Sequence, residues 1–321
     1  MKLKNRQNHD IRNFGFGSRC PRKAVHNACR LHYQSYASAH HVASRFFRFI
    51  SWKASIAESL KDLRDIDKKS VDSYCQFIEG RVKSECTAVS TAHNYVSAIN
   101  TVMHILRGDR KIWVSTRFDT SVPNRSNITT LNKGAKIDVS STPPRDLLDC
   151  LLRLQYLWGL RFEESCKLNA RTALEQVRAV GSIVVSRGTK GGRSRQVPVA
   201  DKTQEEILAH ATHFQGPNYS MIPADLSYAK FRDYAYSGSS QRRHNFHAYR
   251  HGYAHRRYRQ IVGADCPVLA KVKHGLAHIQ YLSKELNISI VAAKKIDTNA
   301  RLIISRELGH ERTQITNAYL G

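Results

Sequence analysis

A stretch without hydrophobic periodicity, Lys111 to Thr142, divides the chain into two parts. It is rich in Ser, Thr, Asn, Pro and Gly, which favour turns and loops. Apolar residues recur with regular spacing on both sides of it, so the pattern predicts two folded domains joined by a linker over residues 111–142. A length of 321 residues fits two domains.

The sequence before the linker predicts an N-terminal arm followed by a helical bundle. Residues 1–21 are polar, basic and glycine-containing, which predicts a mobile N-terminal arm. Residues 22–110 carry three apolar stripes with helical spacing, and the last of them ends at Gly108. Lys and Arg lie between the apolar positions, so we expect a small all-helical domain with a basic surface.

Residues 143–321 predict a second domain of mixed structure. A leucine-rich helix is expected to end at Gly159, and residues 172–200 resemble strands. Within that range, Ser182–Ser186 and Arg195–Val199 flank a glycine-rich turn, which is typical of a hairpin. The pattern after Leu226 is helical again. The predicted fold class is therefore mainly α with a small antiparallel β-sheet.

Charge indicates the class of partner. Lys and Arg number 51 and Asp and Glu number 26, which gives a formal net charge of +25. Such an excess favours a polyanion, and nucleic acid is the first candidate. No carboxylate cluster with metal-binding spacing is visible, which argues against a metal-dependent nuclease.

Cysteine usage and hydropathy indicate the compartment. The seven cysteines are scattered without CxxC spacing, which is typical of buried thiols in a reducing compartment. The basic N-terminus lacks the apolar core of a signal peptide, and no apolar run is long enough to span a membrane. We therefore predict a cytoplasmic, nucleoid-associated protein without a membrane partner.

Two stretches combine residues suited to phosphate chemistry. His247 and Arg250 lie three positions apart, so on a helix they share a face that can grip a phosphate. Near the end of the chain, His310 follows a Leu-Gly pair, and Tyr319 lies nine positions further on. Each pair is also compatible with a plain structural role, because surface His-Arg pairs and core tyrosines are common.

Two earlier positions supply further cations. Arg161 follows Gly159 at an expected helix start, where its guanidinium adds to the free backbone N–H groups. Glu164 is spaced to hold that guanidinium, although a surface Arg-Glu pair is the simpler interpretation. Lys190 lies at the tip of the glycine-rich turn, where it either reaches into a groove or is solvated.

Taken together, these motifs resemble the tyrosine recombinase (phage integrase) family. The likeness rests on GLRFEESCKL around Arg161, KGGRSRQVP from Lys190, HAYRH from His247 and LGHERTQITNAYL up to Tyr319. The helical region before the linker resembles the family's SAM-like core-binding domain, and residues 143–321 its catalytic domain. One departure is a longer run between Arg250 and His310, where residues 261–298 are expected to hold an extra helix or two.

The resemblance implies a site-specific DNA recombinase or integrase of a mobile genetic element, acting through a 3′-phosphotyrosine intermediate. In that chemistry Tyr319 is the nucleophile, His247 its base and Lys190 the acid for the leaving 5′-oxygen. Arg161 and Arg250 clamp the phosphate in place of metal ions, so the resemblance implies neither a metal nor a cofactor. The remaining implied roles are a phosphate hydrogen bond from His310 and support of the first arginine by Glu164.

The expected partners are double-stranded DNA and further copies of the chain, as a homo-tetramer on DNA. Arginines near the catalytic motifs are expected to contact the DNA backbone; they are Arg187, Arg193, Arg195, Arg256 and Arg257. The sequence leaves other classes open. These are a DNA-binding protein of the same fold that no longer cuts, a type IB topoisomerase-like enzyme, and a metal-dependent nuclease.

Overall fold

The computed structural model describes residues 9–115, 134, 136–137, 143–241 and 245–321, without the side chains of residues 238–241. The chain divides into two compact units, Met1–Asn127 and Ile128–Gly321. Most of the predicted linker lies outside the described residues.

The described residues of the first unit form four α-helices. They are α1 (Pro21–His32), α2 (Tyr36–Ser55), α3 (Lys68–Lys83) and α4 (Val89–Arg107). Ser35 and Asp67 cap the starts of α2 and α3, and Gly108, with φ +78°, ends α4. Their apolar stripes meet in one core that includes Phe46, Tyr74 and Ile99, as the periodicity predicts.

The predicted mobile arm is wrong for its second half. Residues Arg12–Gly15 form a short 3₁₀ helix, and Phe14 and Phe16 lie in the core of the first unit. The Asn13 side chain accepts from Leu63 N at 2.8 Å, and Asn13 N donates to Asp62 Oδ1 at 2.8 Å. Burial of these two aromatic rings fixes the segment on the first unit in spite of its basic composition. Residues 1–8 lie outside the described residues.

The second unit holds a two-stranded sheet among helices. Its first helices are α5 (Leu147–Trp158), α6 (Phe162–Lys167) and α7 (Ala170–Val180). The antiparallel strands are β1 (Ser182–Val185) and β2 (Arg195–Pro198), with Ser182 opposite Pro198 and Val185 opposite Arg195. The later helices are α8 (Thr203–Gln215), α9 (Tyr228–Gln241), α10 (Phe246–Val262), α11 (Pro267–Ala270), α12 (Leu276–Glu285), α13 (Ile290–Glu307) and α14 (Asn317–Leu320).

The fold class is confirmed as mainly α with a small antiparallel sheet, and one boundary changes. Residues 172–180, predicted as strand, belong to helix α7. Asn169 caps that helix through Thr172 N, and Gly181 ends it at φ +67°. The hairpin itself lies where the sequence indicates. The expected extra helices over residues 261–298 are α11, α12 and the first turns of α13.

One core lies between α5, α10, α13 and the sheet. Trp158, Tyr253, Tyr258 and Ile304 are fully or almost fully buried within it. The ends of α5 and α13 therefore meet beside the middle of α10, and this is where the candidate site forms. In the described part of the chain, no helix has the length and apolar character needed to cross a membrane.

Candidate active site

Three arginines converge on the carbonyl end of helix α13. Arg195 Nε donates to Glu307 O at 2.7 Å, and Arg161 Nη2 donates to Leu308 O at 3.3 Å. Arg250 Nη2 also donates to Leu308 O. The last carbonyls of a helix lack partners within the helix and carry the negative end of its dipole, so this helix end holds guanidinium groups favourably.

Glu164 is the buried counterion of the three arginines. Its carboxylate accepts from Arg195 Nη1 and Nη2 at 2.8 and 2.7 Å, and from Arg161 Nη1 at 2.7 Å. Arg161 N donates to it as well, at 2.7 Å, and Arg250 Nη1 lies 3.9 Å away. Burial alone would raise the pKa of Glu164, but hydrogen bonds and charge from Arg195, with the Arg161 N–H, lower it to about 2.

A glycine turn places Arg161. Gly159 ends α5 at φ +61°, and a Cβ there would lie 2.6 Å from the Tyr253 ring. Only glycine fits this position without strain. Arg161 then takes an extended conformation as the N-cap of α6, and Arg250 Nη1 donates to Gly159 O. The turn thus brings two arginines from distant parts of the sequence together.

Tyr319 lies against Arg250, inside a group of histidines. Arg250 Nε donates to the Tyr319 hydroxyl at 3.3 Å, and the tyrosine is 6% exposed. Ring centroids of His247, His251 and His310 lie 5.9, 4.7 and 6.2 Å from that of Tyr319. The structure therefore brings the tyrosine to a fully buried guanidinium and to three imidazoles.

His310 stands between the arginines as a neutral imidazole. Burial, followed by the charges of Arg250, Arg161, Arg195 and Lys190, lowers the pKa of His310 to about 4. Its Nε2 lies 3.4 Å from Arg161 Nη2, and since a guanidinium only donates, we assign the ring proton to Nδ1. His310 can therefore donate a hydrogen bond to an anion near pH 7.

The hairpin loop lies beside this site. Lys190 is exposed at its tip, and its charge is one of those that lower the pKa of His310. Arg193 Nη1 pairs with Glu311 Oε1 at 3.3 Å, next to the His310 turn. A Cβ on Gly188 would lie 2.8 Å from Glu163 O, so the loop packs tightly against α6. No contact from Lys190 Nζ to the arginines is seen in the described part of the structure.

A pocket of about 270 Å³ opens beside Arg250. Arg161, His247 and Arg250 line it together with Arg232. Its other wall is aromatic and is formed by Phe162, Tyr228, Tyr236 and Phe246. The combination of cations with an apolar wall suits a phosphodiester with its attached sugar.

The five arginines predicted to contact DNA differ in their exposure. Arg187 and Arg193 are exposed, although Arg187 Nη1 donates to Tyr219 O at 3.0 Å. Arg195 is only 8% exposed, so the prediction of a DNA contact is replaced by its pairing with the buried carboxylate. Arg256 is paired with Asp201 and Arg257 with Glu307, and the side chains of these two arginines are 18% and 16% exposed.

Several residues of the site were not anticipated from the sequence. His251 and His255 follow His247 at intervals of four, which on a helix places all three on one face. His255 Nε2 lies 2.8 Å from Tyr319 O. Glu307 accepts from Tyr253 Oη at 2.7 Å and binds Arg257. The histidine spacing was a usable signal, whereas nothing in the sequence pairs Glu307 with α10.

The geometry defines a class of site, in which a tyrosine hydroxyl lies among arginines and histidines suited to a phosphodiester. Residues 133–256 match a family model described as Integrase. This match supports assignment of the chain to the phage integrase, or tyrosine recombinase, family. The matched range contains Arg161, Lys190, His247 and Arg250. Comparison with curated proteins and with solved structures finds no match.

Proposed function

We propose that the chain is a site-specific DNA recombinase that cuts and rejoins duplex DNA through a 3′-phosphotyrosine intermediate and serves a mobile genetic element. An integrase role in general terms follows from the family. The observation that carries the finer proposal is the contact of 3.3 Å between the Tyr319 hydroxyl and Arg250 Nε, within the group of arginines held by Glu164.

The scissile phosphate would bind in the pocket lined by Arg161 and Arg250. These guanidiniums are fixed by Glu164, by Gly159 O and by the carbonyl end of α13, so little reorganisation is needed when charge develops on the non-bridging oxygens. Neutral His310 would add a hydrogen bond from Nδ1. Arg195 would act indirectly, because it holds Glu164 and is itself buried.

In the proposed reaction, Tyr319 Oη attacks phosphorus and the bond from phosphorus to the 5′-oxygen breaks. The phenolic proton passes to His247, and Lys190 gives a proton to the leaving 5′-oxygen, so the products are a 3′-phosphotyrosine and a free 5′-hydroxyl. Attack by the 5′-hydroxyl of another strand reverses these steps and releases Tyr319. One phosphoester replaces another, so no external energy source is required.

Of the three imidazoles around Tyr319, His310 is assigned to the phosphate, which leaves His247 and His251 as candidates for the base. His247 is exposed and lines the pocket, whereas His251 is 6% exposed and packs closer to the phenol ring. We assign the base to His247, because it is the one that faces both the phosphate pocket and the tyrosine. In this proposal His251 orients the ring.

The test is a suicide DNA substrate that traps the covalent adduct, applied to Tyr319→Phe and to a matched control, Tyr249→Phe. Both tyrosines are buried, at 6% and 4% exposure, and it is the Tyr319 hydroxyl that accepts from Arg250 Nε. We expect the adduct to disappear in Tyr319→Phe, with DNA binding retained, and to persist in Tyr249→Phe. Peptide mapping that places the DNA on another tyrosine would overturn the proposal.

A further inference from the structure

The helix that carries Tyr319 is too short to hold its own position. Helix α14 spans only Asn317–Leu320, and isolated helices shorter than about 12 residues are marginal in water. Its orientation is therefore set by contacts with the rest of the second unit. Two of these are the burial of Leu320 and the contact of His255 Nε2 with Tyr319 O.

The strongest anchor of α14 is a buried arginine outside the group already described. Arg301, on α13, is 4% exposed, and its Nη1 donates to Asn317 Oδ1 at 3.0 Å. Both Nη1 and Nη2 lie 3.3 Å from Gly321 O. One guanidinium therefore holds the residues two positions before and two positions after Tyr319. Hydrogen bonds from a charged donor are about twice as strong as neutral ones.

Arg301 is itself fixed by a buried acid. Its Nε donates to both carboxylate oxygens of Asp297, at 3.0 and 2.9 Å, one turn earlier on α13. Tyr258 Oη donates to Asp297 Oδ1 at 2.5 Å, and Asp297 is 7% exposed. A buried charge pair of this kind is costly unless each partner is satisfied by further hydrogen bonds, and here both are.

Helix α12, which lies between α10 and α13 in the chain, packs beside the pair formed by Arg301 and Asp297. His278, on α12, lies with Nδ1 3.6 Å from Asp297 Oδ1, and its Nε2 lies 3.0 Å from Asp265 O. Burial lowers the pKa of His278, and because a carbonyl oxygen only accepts, Nε2–H donates to Asp265 O. Residues 261–298, for which the sequence suggested no role, thus supply both the acid that orients Arg301 and the histidine beside that acid.

We propose that Arg301 is a positioning residue for the nucleophile, held by Asp297 and acting through Asn317 and Gly321 O to set where the Tyr319 hydroxyl stands. This role rests on the proposed function of Tyr319. The contact of that hydroxyl with Arg250 is 3.3 Å, so a small displacement of α14 breaks it. A misplacement of about 1 Å can cost on the order of 100-fold in rate.

The test uses substitutions that leave the charge on Asp297 compensated. Asn317→Ala removes the acceptor on α14, and Arg301→Lys keeps a cation near Asp297 but loses the guanidinium that reaches both ends of α14. We expect each to slow single-turnover formation of the covalent adduct by about 10- to 100-fold. The affinity for DNA should stay at the wild-type value in both variants, and the melting temperature should stay close to it in Asn317→Ala, which leaves Arg301 paired with Asp297. Asn317→Asp keeps an oxygen facing Arg301 and should restore the rate.

Two further measurements separate positioning from a general loss of stability. The double variant Arg301→Lys/Asn317→Ala should be no slower than the slower single variant, because both remove the same contact. Hydrogen exchange should be faster at the amides of residues 318–321 and unchanged in β1 and β2. Gln314→Ala, an exposed neighbour on the same segment, is the matched control and should behave as wild type.

Wild-type rates in Asn317→Ala and Arg301→Lys would overturn the proposal, and so would a double variant whose loss is the product of the two single losses. Hydrogen exchange requires no cleavage. If Tyr319 were not the nucleophile, adduct formation would persist in Tyr319→Phe, while faster exchange in Asn317→Ala would still show that Arg301 holds α14. Unchanged exchange would refute the anchoring itself. Failure of this inference and failure of the proposed function are therefore distinguishable.

Discussion

Glu164→Gln is the substitution that tests the electrostatic core of the site most directly. The side chain keeps its shape but loses the charge that the guanidiniums of Arg161 and Arg195 share. The pKa of Glu164 falls from an ordinary 4.5 to about 2. At about 1.36 kcal/mol per tenfold change in the ionisation equilibrium, this corresponds to roughly 3 kcal/mol in favour of the folded state with Glu164 ionised.

An independent argument gives a similar magnitude. Removing one partner from a buried ion pair typically costs about 3–5 kcal/mol, because the remaining charge is left without compensation. Glu164 is 1% exposed, so solvent screening does not reduce this value much. We therefore expect the free energy of unfolding of the second unit to fall by roughly 3 kcal/mol near pH 7.

The sign of the pH dependence follows from the lowered pKa. An acid with a depressed pKa in the folded state stabilises the fold above its unfolded-state pKa, and this contribution is lost as pH falls through the folded-state value. For Glu164 the window runs from 4.5 down to about 2. The difference between wild type and Glu164→Gln should therefore be full near pH 7 and should shrink as the solution is acidified through that window.

Urea unfolding followed by tryptophan fluorescence measures this difference. Trp158 is fully buried in the second unit, so replacing Trp52 and Trp113 by Phe leaves a signal from that unit alone. Glu163→Gln is the matched control, because its ion pair with Lys167 is partly exposed and should contribute at most about 1 kcal/mol. Equal stability of wild type and Glu164→Gln, or a gap that does not change on acidification, would refute the reasoning.

Three further predictions concern the turn, the loop and the charge. In thermal unfolding, Gly159→Ala should lower the free energy of unfolding by more than about 1 kcal/mol, because φ is +61° and the new Cβ meets Tyr253. Gly192→Ala is the control, because its new Cβ meets open space, and it should cost less; equal losses would contradict this. Lys190→Ala should cut a normal substrate slowly but should cut a substrate with a 5′-bridging sulfur at the wild-type rate, because sulfur leaves without a proton. Absence of this rescue would remove Lys190 from the mechanism. The affinity for duplex DNA should fall steeply as salt rises, because bound phosphates release counterions, and a flat salt dependence in a binding titration would show that the net charge of +25 is not used for DNA.

The sequence predicted the elements that depend on local patterns. Gly108 and Gly159 end helices where the apolar stripes stop, and the hairpin lies on either side of its glycine-rich turn. The order of Arg161, Lys190, His247, Arg250, His310 and Tyr319 indicates the tyrosine recombinase family, and residues 133–256 match an Integrase family model. These features are local in the chain or fixed in order, so one sequence is enough to find them.

What the sequence did not predict depends on long-range pairing. Arg195 resembles a surface cation in a basic hairpin, and only the fold shows that it meets Glu164 and the end of α13. The arm prediction is wrong for its second half because Phe14 and Phe16 are buried through long-range contacts with α4 and the turn at Asp62, which the local basic composition does not indicate. Helix α7 was missed because its Thr and Val residues favour strands locally, while its caps at Asn169 and Gly181 favour a helix.

Helix α13 contacts two groups of residues, and the number of residues between them fixes how the two groups are spaced. Arg301 faces α14, and seven residues later Leu308 O receives Arg161 and Arg250, so the two functions lie about two turns apart on one side of the helix. A single inserted residue between them would rotate one end against the other by roughly 100° and lengthen the helix by about 1.5 Å. One of the two groups would then point away from its partners. Helix α13 therefore acts as a fixed spacer between tyrosine and arginines, and an insertion or deletion within it would put the two halves of the site out of phase.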